Sequence, residues 1–284
     1  VSSEVPAELG AALRLVSLIP TVAYHGKLPQ ELARDLDATM DEAEQWARET
    51  YAPALKNPGA LSVAERDAIV QTIARYTGLD SADVNRETLR VTPRQFREGL
   101  LKAEGKSLNV FDMRIASGGG DEGEGRSDVL LRYLRHELGY ATDLPYIGLD
   151  GFGEGYSPDG ETPASVGARW DYFTIPMSEE EKKEAIAEAI RVGGGPPRGG
   201  PRPAGANEAI AANPDLRVLV ASGKFDSLAS CPGDAEAQRR LPENVGAAVQ
   251  YECYTGGHMM YRDAPSRIEF SRDVKALINA TKDN

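Results

Sequence analysis

Apolar residues in the first 110 positions recur at helical spacing. Over 29–50, Leu32, Leu36, Met40 and Trp46 form one stripe with charges between them, which predicts an amphipathic helix across that span. Pro29 suits its first turn. The stretch "SVAERDAIVQTIARY" at 62–76 keeps the same period. Ser62 and Glu65 stand in capping-box spacing, and Gly78 predicts the stop. Two further helices are predicted at 81–88 and 93–103. The second has Thr92 as N-cap and Pro93 as its first residue.

The texture changes near the C-terminus. "DLRVLVASG", 215–223, holds the unbroken run Val218-Leu219-Val220-Ala221, which predicts a strand buried on both faces. A helical pattern follows at 233–241, and "AAVQYECYTGG", 247–257, predicts a second strand. A last amphipathic helix at 264–280 offers Ile268, Phe270, Val274, Leu277 and Ile278 for burial. Strand, helix, strand, helix at this spacing indicates an α/β unit with a parallel sheet. The expected organisation is a mainly helical region over 1–165, a connector over 166–205 and an α/β segment over 206–284.

Between these parts lie two low-complexity stretches. "ASGGGDEGEGRS", 116–127, reads as a surface loop. It lacks a G-K-[ST] ending, and its three acidic residues would repel a phosphate. "GGGPPRGGPRPAG", 193–205, opposes regular structure. His136 sits in the helical pattern "SDVLLRYLRHELGY" among charged neighbours, as a surface residue. "SEEEKKE" opens another helix, with Ser178 as cap and glutamates at the positive end of the dipole.

A net charge of −12 excludes nucleic acid as the main partner, because phosphates need a basic surface. No run of about 18 uncharged apolar residues occurs, so no membrane span is expected. The three histidines, His25, His136 and His258, lie far apart without an H-E-x-x-H pair, so neither a metal nor a cofactor is expected. Two cysteines, Cys231 and Cys253, are too few for a disulfide scaffold or a four-ligand zinc site. One disulfide in an oxidising compartment and two unpaired thiols both remain open. The chain starts at Val1 without methionine or the charged and apolar regions of a signal peptide. That start reads as a processing site or a cut inside a longer protein.

The candidate chemistry lies where the strands stop. The first runs into Gly223-Lys224-Phe225-Asp226, the second into Gly256-Gly257-His258. Sites in open parallel sheets form at the carboxyl ends of strands, and consecutive strands are commonly neighbours. Asp226 and His258 are therefore expected to meet. The carboxylate would fix the imidazole tautomer and leave the second nitrogen as a base. Acid before histidine is also the chain order of α/β-hydrolase triads. The competing reading makes Asp226 a turn residue and His258 a surface one. His25 in "AYHGKL" is placed to line a cleft or cap an element.

"RVLVASGKFDSLASC" and "YECYTGGHMMYRDAP" resemble the acid and histidine segments of the serine carboxypeptidase-like family, in a bacterial form. "YHGKL" (24–28), "YAPAL" (51–55), "LSVAERDAIVQTIARYTGL" (61–79) and "ELGYATDLPY" (137–146) extend the resemblance over most of the chain. "GGHMMY" is its most specific part. The resemblance implies the C-terminal part of an α/β-hydrolase sheet with a large helical cap. It assigns Asp226 as triad acid, His258 as triad base, Gly256 and Gly257 as the preceding turn, and Gly257, Met259 and Tyr261 as substrate-binding. Cys231 and Cys253 fall in the same two loops, so a disulfide between them would tie acid to base and imply a secreted or periplasmic protein.

One departure is large. No glycine-flanked G-x-S-x-G elbow occurs; "GEGYSPDG" around Ser157, "ASGG" and "ASGK" all lack the spacing. The nucleophilic serine is therefore expected on an N-terminal chain of the same precursor or on a missing segment. The expectation is a serine hydrolase acting on a peptide, ester or amide. The alternatives are an acyltransferase or esterase on the same triad, and a non-catalytic binding or scaffold protein derived from the family.

Overall fold

The computed structural model describes residues 5–118, 129, 131–141, 177–191 and 206–280. Seven helices build its first part: α1 (Ala7–Val16), α2 (Ile19–Tyr24), α3 (Gln30–Ala33), α4 (Leu36–Trp46), α5 (Ala52–Lys56), α6 (Val63–Thr77) and α7 (Pro93–Gly99). They share one core that includes Val16, Ile19, Tyr51, Ile73, Tyr76 and Phe96. By length and mean hydropathy alone, Ala7–Tyr24 is long and apolar enough to cross a membrane. It carries Glu8 and Arg14, however, and buries Val16, Ile19 and Val22 in this core.

The helix expected over 29–50 is broken. Asp35 is extended (φ −138°), and its side chain accepts from the Ala38 N–H at 3.0 Å, so it caps a new helix. α4 then runs through a π-turn at Ala47–Tyr51, which stacks Trp46 on Tyr51 at 4.9 Å between ring centres. The capping box of α6 forms as expected, with Ser62 and Glu65 bonded reciprocally and Gly78 left-handed at φ 67°.

The helix expected over 81–88 is replaced by turns. Asp80 Oδ1 takes the Ala82 N–H, and Asn85 Oδ1 takes those of Glu87 and Thr88, all at 2.9 Å. These side chains divert the donors that a helix would need. α7 starts at Pro93 behind the Thr92 cap but ends at Gly99, not 103. A single 3₁₀ turn and Gly105 (φ 68°) lead instead into β1 (Lys106–Leu108). β1 pairs antiparallel with β2 (Ala116–Gly118), so the start of the expected acidic loop is a strand. The rest of that loop and the stretch 193–205 lie outside the described residues. His136 is exposed, and Ser178 and Glu181 cap the helix Glu179–Arg191 reciprocally.

The protein is thus of mixed helix and sheet, and its C-terminal part is the expected strand–helix–strand–helix unit. β3 (Val218–Gly223) and β4 (Val249–Tyr254) run parallel, in register from Val218↔Val249 to Gly223↔Tyr254. The helices Cys231–Arg239 and Glu243–Gly246 connect them, and Ala264–Ala280 follows. β3 is not buried on both faces: Val218, Leu219 and Val220 are half-buried and Ala221 is exposed. Among the described residues its sheet has two strands, too few to be enclosed. The last helix likewise leaves Ile268 69% and Ile278 51% exposed, while Phe270 packs edge-on against Tyr254.

Glu236 joins the two parts. This buried carboxylate on the helix Cys231–Arg239 pairs with Arg48 of the π-turn at 2.8 Å, with Arg239 at 3.1 Å and with Arg240. Burial alone would raise its pKa, but the three arginines hold it below the usual glutamate value.

Candidate active site

β3 and β4 stop level with each other, and two glycines let the following loops cross. A Cβ on Gly223 would lie 2.1 Å from the Gly257 carbonyl oxygen. Gly256 has φ 149°, and a Cβ there would lie 2.8 Å from the Met260 Cα. Across this contact the Phe225 N–H donates to the Gly256 carbonyl at 2.8 Å, and the Lys224 N–H donates to the Tyr254 carbonyl at 2.9 Å.

The crossing brings the two expected residues together. His258 Nδ1 lies 2.8 Å from Asp226 Oδ2. Asp226 is only 6% exposed, and its Oδ1 accepts from the Leu228 N–H at 2.9 Å. The His258 side chain is 51% exposed. With the Nδ1 proton donated to the carboxylate, the Nε2 lone pair remains for chemistry. Nothing among the described residues bonds to that nitrogen.

A third segment, Asn109–Arg114, completes the site and was not singled out from the sequence. Asn109 Oδ1 accepts from the N–H groups of Phe111 (2.8 Å) and Asp112 (3.1 Å), which folds the segment into a turn. Its backbone then binds both loops. The Phe111 carbonyl accepts from the His258 N–H at 2.6 Å, and the Met113 N–H donates to the Phe225 carbonyl at 2.9 Å. Ser227 Oγ donates to the Val110 carbonyl at 2.7 Å. The asparagine turn was the one signal in the sequence; its partners are more than 100 residues away.

Arg114 closes this arrangement. Its guanidinium forks onto Asp112 (2.6 and 2.9 Å) and onto Asp263 (2.8 and 3.1 Å), and it lies 5.1 Å over the Phe225 ring. These bonds push the Arg114 pKa up and hold the Asp263 carboxyl down.

The other expected residues fall around the pair. Gly257 is buried beneath the Phe111 carbonyl, which a Cβ there would approach to 2.3 Å. Met259 and Tyr261 are exposed on the same turn. His25 is the C-cap residue of α2, its N–H donating to the Thr21 carbonyl at 3.1 Å, and its Nε2 bonds the Met113 carbonyl at 2.7 Å and so braces the third segment. Cys231 and Cys253 form a disulfide with a Cα separation of 5.7 Å, linking the helix after the acid loop to β4. A cavity of about 580 Å³ lies beside the disulfide at the strand ends, lined mainly by apolar groups of Tyr24, Leu36, Met40, Phe225 and Pro232.

Comparison with known proteins gives no matching family model, no matching curated protein and no matching solved structure.

Proposed function

We propose that this chain supplies the acid and base of a serine carboxypeptidase-like hydrolase with an α/β-hydrolase fold, its helical part forming the cap. The observation that carries the reading is the 2.8 Å contact between His258 Nδ1 and Asp226 Oδ2 at the ends of adjacent parallel strands. The buried carboxylate orients the ring and stabilises the imidazolium. The exposed edge of His258 takes the proton of a serine as it attacks an acyl carbon and returns it to the leaving group. The serine and its oxyanion hole are supplied from outside these 284 residues, by an N-terminal chain of the same precursor or by a missing segment. The substrate is a peptide, ester or amide, and the apolar cavity beside Phe225 suits an apolar side chain or acyl group. The disulfide fits a secreted or periplasmic protein.

The test is intact mass spectrometry of the protein purified from its full gene product, with and without a serine-directed phosphonate. The expected result is a second, associated polypeptide carrying one phosphonate on a G-x-S-x-G serine. A lone folded chain, with no labelling of the full gene product, overturns the reading.

A further inference from the structure

Arg114 reaches all three segments of the site. One fork holds Asp112 of its own turn, the other holds Asp263 just after the histidine turn, and the plane of the guanidinium rests on Phe225 beside the acid. Its side chain is half-buried, and each fork is a paired, charge-assisted contact of fixed geometry. The segment it anchors is the one whose backbone binds both His258 and Phe225. The two loops bearing the pair are also joined by the Phe225–Gly256 bond, but that bond fixes only their roots. The position of the His258 backbone against the acid loop is set through Phe111.

We propose that Arg114 is the positioning residue of the Asp226–His258 pair: its double fork holds residues 109–114 across both loops and thereby sets the approach of Nδ1 to Oδ2. A lysine would keep the charge but not the planar fork, so it would not hold two carboxylates in register. The consequence for turnover rests on the enzyme reading above; the geometric role does not.

The experiment uses protein labelled with ¹⁵N in its histidine rings, of which there are three. In the wild type the neutral ring of His258 is expected as a single tautomer, protonated on Nδ1, with a slowly exchanging proton. Asp226→Asn supplies the reference for a loosened pair. Arg114→Ala is expected to mix the tautomers and speed exchange as that reference does. Arg114→Lys should restore the signature only in part. In the assembled enzyme Arg114→Ala should lower kcat by on the order of 100-fold with KM nearly unchanged, and Arg114→Lys by less. Should Arg114→Ala fail to fold, Asp263→Asn leaves the Asp112 fork in place and carries the same readout. Ring signals unchanged from wild type in these variants overturn the proposal. Ring signals that respond as expected, in a protein that neither turns over substrate nor takes the phosphonate, leave the positioning role standing and remove the enzyme reading.

Discussion

His258 Nδ1 and Asp226 Oδ2 lie 2.8 Å apart although 32 residues separate them along the chain. The helices Cys231–Arg239 and Glu243–Gly246 and the strand β4 intervene, while β3 leads into the acid loop, so the contact is a product of the parallel pairing and not of a local turn. On the proposed triad reading these two groups act as one unit. Asp226→Asn leaves a hydrogen-bonding side chain of the same size but allows the wrong ring tautomer. It should lower kcat of the assembled enzyme by on the order of 10⁴-fold, and His258→Ala by at least as much. Steady-state kinetics beside a thermal melt checks this. Turnover within a few-fold of wild type in the histidine variant would remove His258 from the mechanism.

The disulfide joins residues 22 apart in sequence, and a loop of that length contributes about 3 kcal/mol in the chain-entropy account. Cys231→Ser with Cys253→Ser should therefore lower the unfolding free energy from urea titration by that amount, and reduction of the wild type should do the same. If the two treatments differ by more than about 1 kcal/mol, serine packing and not loop closure dominates the change.

The site was legible where its signals are local and closed where they are not. Ser62 and Glu65, or Thr92 and Pro93, are read within four residues, and their helices begin where the pattern places them. The meeting of Asp226 and His258 was also readable, because strand ends and chain order constrain it. Asp35 and Asn85 misled the helix assignments, since a short polar side chain within a periodic stretch serves the surface as well as it serves a cap. Asn109–Arg114 stayed hidden for a different reason. Its meaning lies in Asp263 and Phe225, and nothing in "NVFDMR" specifies a partner 149 residues away.

Glu236 links the helical part to the sheet part through Arg48. Its folded pKa is depressed, so it contributes stability above the unfolded glutamate value of about 4.3 and loses it as pH falls through the lower folded value. Glu236→Gln should cost about 2 kcal/mol at neutral pH, because buried hydrogen bonds to charged partners are lost. The gap between wild type and variant should close below about pH 4. Denaturant titrations across that range measure it. A gap that stays constant with pH would show that the glutamine costs packing and not charge.

Two glycines separate backbone strain from site geometry. At Gly223 an added Cβ would lie 2.1 and 2.6 Å from the carbonyl oxygens of Gly257 and Gly256, and neither backbone oxygen can yield without moving the histidine turn. At Gly26 the φ of 66° disfavours any side chain, yet nothing lies within 4 Å. Gly26→Ala should cost about 1–2 kcal/mol of stability and leave turnover unchanged. Gly223→Ala should cost a similar amount or more through overpacking, and kcat should also fall by on the order of 100-fold as His258 is displaced from Asp226. Stability is read from urea unfolding and geometry from kcat. Equal activity in the two variants at matched stability would mean that the turn absorbs the displacement, and that the tight Gly223–Gly257 contact does not set the position of the imidazole.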